Sequence, residues 1–154
     1  MGKSIDEISK IAAEWWADRV AAPKFDNRDK STAGFMGMAL ASMLVKPVEE
    51  GSREKFISAL SEIIFREFDN MVGRKMTLGV DYGPDRNICE AAEVAGISTN
   101  NFPWKTVMWI GENRVSVRCG YRADEQFLYA NKEFWNQKIK SCEENGYRSW
   151  FIAK

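Results

Sequence analysis

The chain contains no histidine. That absence removes the usual base of Ser–His and Cys–His nucleophiles and the imidazole ligands of most catalytic zinc sites. Cysteine is sparse as well: Cys89, Cys119 and Cys142 are far apart and form no C-x-x-C pair. Neither a zinc knuckle nor a disulfide framework follows from that spacing, and a reducing cytoplasm is the compartment that fits. Charge of one sign is missing too, with Lys+Arg and Asp+Glu both at 22. Bulk charge therefore argues against a general nucleic-acid binder, although it leaves a local basic patch open. The longest near-apolar run, Ala33 to Val45, falls short of the roughly 20 residues that cross a bilayer. Met1-Gly2-Lys3-Ser4 leads into a charged amphipathic segment with no signal-peptide apolar stretch; Gly2 fits the start of a myristoylation pattern, but an ordinary start is the simpler reading.

What is present is a globular composition, 45% hydrophobic over 154 residues, enough for one domain with a buried core. Ser4-Ile5-Asp6-Glu7 is a capping box. Ile5, Ile8, Ile11, Ala12, Trp15 and Trp16 then recur at helical spacing, which predicts a helix from Ile5 to Val20 ending before Ala22-Pro23. The adjacent tryptophans point about 100° apart, so one enters the core while the other reaches the rim. The polar stretch Lys24–Lys30 reads as a loop. A second helix runs from Ser31 or Thr32 to Lys46, and a third from Arg53 to Met71 with Ser52 as its cap. The period then changes to two, a strand over Met76–Tyr82. Gly83-Pro84 breaks it, Asp85 caps a short helix Arg86–Ala95, and Gly96 ends that helix. A hairpin follows around Gly111-Glu112-Asn113, then a helix from Asn131 to Glu144, and Arg148–Ile152 reads as a last strand. The fold class is α+β: an N-terminal three-helix layer (1–73) on a small, mainly antiparallel sheet with a short inserted helix and a C-terminal helix (74–154).

With a three-residue turn, Ile110 faces Arg114. Trp104, Thr106, Met108, Ile110, Arg114, Ser116 and Arg118 then share one face. Lys105, Val107, Trp109, Val115, Val117, Cys119 and Tyr121 share the other, which reads as core. On the first face Trp104 can stack on a base while Arg118 forks onto a phosphate. The structural alternative is that the arginines solvate an outer face and Trp104 packs under the tail helix. Asp81-Tyr82-Gly83-Pro84-Asp85-Arg86 is either a structural turn or the border of a pocket. In the second case Tyr82 stacks, Arg86 meets phosphate, and Asp81 or Asp85 accepts from a ribose or amine. Its glycines match neither a P-loop nor a dinucleotide fingerprint. Asp81, Asp85, Glu90 and Glu93 can supply a carboxylate pair for Mg²⁺ or acid–base chemistry, with Glu90 and Glu93 three apart on one helix face, although surface helices carry such pairs routinely. Cys89 stands near a helix start without a histidine to activate it, so burial as a small apolar residue is the simpler reading.

Trp15-Trp16-Ala17-Asp18, Pro23-Lys24-Phe25-Asp26-Asn27, Val80-Asp81-Tyr82-Gly83-Pro84-Asp85 and Phe102-Pro103-Trp104-Lys105-Thr106-Val107-Met108-Trp109 resemble a group of small proteins of phages and prophages of Firmicutes-type bacteria. The similarity spans Ile11 to Tyr121. The resemblance implies a cytoplasmic setting in an infected or lysogenic host, and a counter-defence role. Two mechanisms fit such proteins: a sponge that sequesters a nucleotide immune signal, such as a cyclic ADP-ribose derivative or a cyclic oligonucleotide, or an inhibitor that binds a defence effector directly, as anti-CRISPR proteins do. The expectation is a non-enzymatic homo-oligomer without cofactor or metal that holds a small nucleotide-like ligand. Tyr82, Asp81, Asp85, Arg86, Trp104, Lys105, Thr106 and Arg118 are its binding residues. The alternatives are the effector inhibitor, using Lys24–Lys30, an exposed Trp15 or Trp16 and the acidic helix faces, and a metal-dependent nucleotide hydrolase, which needs Asp81, Asp85, Glu90 and Glu93 to converge on a metal.

Overall fold

The structure, a computed structural model, describes residues 2–21, 36, 40, 43, 46–68, 70, 75–81 and 83–144. The elements run α1 (Ile5–Ala21), α2 (Ser52–Phe68), β1 (Lys75–Val80), α3 (Arg86–Ala95), a 3₁₀ turn (Thr99–Asn101), β2 (Thr106–Gly111), β3 (Arg114–Cys119), β4 (Gln126–Ala130) and α4 (Lys132–Glu144). The four strands form one antiparallel meander in the order β1-β2-β3-β4. The α+β class read from the sequence therefore holds. Of the helix expected from Ser31 or Thr32 to Lys46, only Met36, Leu40 and Met43 are described within helical conformation, and all three are exposed. The Lys24–Lys30 loop, Tyr82 and the strand expected at Arg148–Ile152 lie outside the described residues.

Local chemistry sets the helix ends. The Ser4 N–H donates to Glu7 Oε2 (3.0 Å) and the Glu7 N–H to Ser4 Oγ (3.3 Å), the reciprocal capping box. Asp85 caps α3, and Gly96 closes it in the left-handed region at φ 71°. The α1 tryptophans divide as their spacing requires: Trp16 is fully buried, while Trp15 stands at the rim with its ring 5.0 Å from Trp16 and the Arg19 guanidinium 4.8 Å from its centroid.

The core is one cluster. Ile8, Ala12, Trp16 and Val20 of α1 meet Phe56, Leu60, Ile64 and Phe68 of α2, Ile88 and Ala92 of α3, and one face of the sheet. Phe102 is fully buried with its ring 6.2 Å from Trp16 and 5.8 Å from Phe56. Burying a side chain of that size contributes about 1.5–3 kcal/mol. Phe102 thus pins the segment leading into β2 to the helical layer. Asn101, also buried, locks it further: Lys46 N–H donates to Asn101 Oδ1 (2.8 Å) and Asn101 Nδ2 donates to Lys46 O (2.6 Å).

The hairpin register differs from the sequence expectation. β2 ends at Gly111 and β3 begins at Arg114, so Glu112 and Asn113 alone make the turn. Ile110 pairs with Val115, not Arg114. A one-residue slip exchanges the two faces of a strand. Met108 and Ile110 move to the core face beside Val115 and Val117, while Val107 and Trp109 move to the outer face. The reason is hydrophobic consistency. This pairing aligns Met76–Ile110–Val115 and Leu78–Met108–Val117 as apolar rows, whereas the longer turn mixes them with arginines.

Candidate functional site

The helices α1, α2 and α3 cover one face of the sheet, and the opposite face carries the side chains of interest. Its rows follow from the register. Lys75 pairs with Gly111, Thr77 with Trp109, and Gly79 with Val107; across the hairpin, Val107 pairs with Arg118 and Trp109 with Ser116. Arg114 and Arg118 occupy the same face of β3 on either side of Ser116. Trp109 therefore stands between two cations diagonal to it, and each guanidinium carbon lies 5.7 Å from its ring centroid.

The two arginines differ in their surroundings. Arg114 Nη1 donates to Glu125 Oε1 at 2.8 Å, and Ser116 Oγ donates to the same oxygen at 2.5 Å. The Arg114 guanidinium also lies 5.5 Å from the Phe134 ring. Phe127, Phe134 and Trp135 pack mutually with centroids 5.0–5.5 Å apart, forming an aromatic wall where α4 meets β4. Asn131 braces that wall: its Oδ1 accepts from the Phe134 N–H (2.9 Å), and its Nδ2 donates to Asn113 Oδ1 in the hairpin turn (2.9 Å). Arg118 makes no ion pair among the described residues, and its Nε is buried without a hydrogen-bond acceptor.

The rows continue past the strand ends. The Lys105 N–H donates to Asp81 O (3.0 Å) and the Gly120 N–H to Lys105 O (2.8 Å). Lys105 holds φ 57°, a left-handed conformation costing on the order of 1 kcal/mol or more for a residue with a Cβ; those two hydrogen bonds hold it there. Its ammonium lies 5.0 Å from the Tyr121 centroid, and the Tyr121 hydroxyl donates to Asp81 Oδ1 at 2.7 Å. Asp81, Lys105 and Tyr121 form a polar rim beyond Arg118. Lys105, expected on the core face, stands at this rim.

The residues named from the sequence thus separate into distinct places. Arg118 is on the outer face, and Asp81 and Lys105 are at its end. Thr106, expected beside Arg118, is instead 2% exposed on the core face opposite Cys119 and donates to Trp104 O (3.2 Å). Trp104 is half-buried against the core cluster, so the tryptophan that accompanies Arg118 is Trp109. Asp85 is committed to the backbone: Oδ1 accepts from the Ile88 N–H (3.0 Å) and Oδ2 from the Gly79 N–H (2.7 Å). Arg86 lines a polar cleft of about 380 Å³ at the β1 edge with Arg66, Thr77, Asn87 and Glu90. Glu90 pairs with Arg66 at 3.8 Å. No group of three or more His, Cys, Asp or Glu among the described residues could hold a metal. Cys89 Sγ donates to Pro84 O at 3.3 Å, and burial, then the Asp85 carboxylate, pushes its thiol above the ordinary range. No described helix is long and apolar enough to cross a membrane.

The sequence reading missed Trp109 because it took the longer turn. The signal that finds it is the requirement that Val115 and Val117 face apolar partners. Neither the protein-family models nor the curated proteins give a match to this chain.

Proposed function

We propose that this chain is a binding protein that holds a small nucleotide-like anion on its outer sheet face without turning it over, and that it serves as a phage counter-defence sponge for a nucleotide immune signal. The observation that carries the reading is Trp109 flanked by Arg114 and Arg118 on the sheet face opposite α1–α3. An indole face takes a base, and a planar guanidinium takes a phosphate through paired N–H donors. A sponge needs affinity and no turnover, so a chain without histidine loses nothing in that role. The counter-defence setting rests on the resemblance to small phage and prophage proteins, and the homo-oligomeric state belongs to the same proposal.

A second reading, docking on a defence effector, draws on Met36, Leu40 and Met43, exposed at 57, 58 and 80% and spaced for one helix face. Its other expected contacts change: Trp16 is buried, which leaves Trp15 at the rim. Incubation with a panel of cyclic nucleotides, followed by heat release and mass analysis, separates the possibilities. Intact ligand supports the sponge, altered ligand a hydrolase, and no retention the effector inhibitor.

A further inference from the structure

The proposed function leaves open how copies of the chain meet. Resting on the homo-oligomeric part of that reading, we propose that the open half of the β1 edge is a dimer interface, where β1 pairs antiparallel with β1 of a second copy about a two-fold axis at Met76. The register inside the sheet shows which backbone groups are free. The Gly79 N–H donates to Asp85 Oδ2 (2.7 Å) and the Gly79 C=O accepts from the Asp85 N–H (2.9 Å), both on the side away from β2. Inward and outward groups alternate along a strand, so Lys75 and Thr77 also turn theirs away from β2. Both residues are exposed, and the backbone of neither has an outward hydrogen-bond partner among the described residues. The chain closes the other half of this edge itself: the Asp81 N–H donates to Gly83 O (3.3 Å), and Val80 bridges to Pro84.

That closure fixes the register. Pairing centred on Thr77 sets Lys75 opposite the partner's Gly79, whose outward groups are taken by Asp85. Pairing centred on Lys75 sets two like charges directly opposite, which is unfavourable. Pairing centred on Met76 sets Lys75 opposite the partner's Thr77 at both ends, and each such pair exchanges two N–H···O bonds. The two Met76 side chains then meet on the core face, where the flexible thioether adapts to its neighbour, and the row Met76–Ile110–Val115 continues across the axis. A two-fold contact presents the same patch twice, so the patch must complement itself. This one does: Lys75, Arg66 and Arg86 stand against Glu67, Asp85 and Glu90 along the edge and in the cleft of about 380 Å³ beside it. Both signs balance, so a second copy is matched and a strongly acidic or basic peptide is not. The β4 edge is the poorer candidate. Its pairing with β3 shifts between Val115 and Ser116, a bulge of the kind that blunts an edge, whereas β1 pairs with β2 without a break from Lys75 to Val80.

Sedimentation velocity of the full chain over a concentration series tests this, with far-UV circular dichroism as the control for folding. The expected result is a dimer of the wild type. Thr77→Pro removes an outward N–H and no bond to β2, a position at which an edge strand accepts proline; it should raise the dimer dissociation constant about tenfold or more. Thr77→Lys sets a cation opposite the partner's Lys75 and should weaken the dimer several-fold. Adding Lys75→Glu to Thr77→Lys turns that repulsion into attraction and should restore the dissociation constant to within about threefold of wild type. Only the register about Met76 gives that rescue, and the charge pair decides the question even where Thr77→Pro fails to fold. A dimer indifferent to Thr77→Lys, or weakened by it and not rescued by Lys75→Glu, overturns the β1 interface and leaves the homo-oligomeric state standing. A chain that stays monomeric up to about 100 µM overturns both, while the nucleotide-holding reading stands or falls on the nucleotide panel alone.

Discussion

Asp85 offers the sharpest separation between a structural and a ligand-binding role. Its carboxylate accepts from the Ile88 N–H at 3.0 Å and the Gly79 N–H at 2.7 Å, and its own N–H donates to Gly79 O at 2.9 Å. One side chain therefore caps α3 and ties it to the edge of β1. In Asp85→Ala the lost cap costs about 1 kcal/mol. The lost charged bond to Gly79 costs a further 1.5–3 kcal/mol or so. Neighbouring losses do not add in full, so the expected destabilisation is about 2–4 kcal/mol, a large part of the roughly 5–15 kcal/mol that holds a domain together. Asp85→Asn keeps an acceptor for Ile88 and loses the charge, and should cost about half as much. Urea denaturation followed by far-UV circular dichroism reads the midpoint, and an unchanged m-value shows that the comparison is sound. An alanine variant within 0.5 kcal/mol or so of wild type refutes the argument. A variant that keeps its stability and loses nucleotide binding returns Asp85 to the ligand.

Asn101→Ala should destabilise by about 2–4 kcal/mol, because it removes two buried hydrogen bonds and leaves the Lys46 N–H and C=O unpaired; denaturant midpoints measure this. Cys89 should alkylate more slowly than a free thiol near pH 8 and catch up only at higher pH, since its thiol is raised by burial and by Asp85. Peptide mapping after iodoacetamide across a pH series checks it. The sign for stability follows: above the unfolded thiol pKa the unfolded chain loses this proton first, so the Cys89 contribution turns unfavourable as pH rises toward the folded value. Glu125→Gln should leave the chain folded, because the amide oxygen still accepts from Arg114 and Ser116; thermal unfolding should stay within a few degrees of wild type.

Much of the helical layer was legible because its signals are local. Ser4 and Glu7 mark the start of α1, and Asp85 and Gly96 bracket α3 at the bounds the sequence predicts. The Trp15-Trp16 pair divides by helical geometry alone. The sheet was harder, since register depends on partners far apart in the chain. A turn shorter by one residue exchanged the two faces of β2, left those of β3 as expected, and put Trp109 in place of Trp104 beside Arg118. β4 went unseen for a related reason. Phe127, Leu128 and Tyr129 are consecutive and apolar without a period of two, and the pairing with β3 shifts between Val115 and Ser116. A bulge of that kind erases the alternation by which a strand is recognised. The candidate site was legible in kind, aromatics beside cations on a hairpin, and not in its membership.

The most direct measurement compares Trp109→Leu with Trp104→Leu in a calorimetric titration using the tightest-binding nucleotide of the panel. Stacking of one base contributes about 1–3 kcal/mol, so Trp109→Leu should weaken binding roughly fivefold to a hundredfold or more. Trp104→Leu, packed against the core away from the Arg114–Arg118 rows, should bind within about twofold of wild type. The opposite ranking, with Trp104 essential and Trp109 dispensable, contradicts the outer-face account.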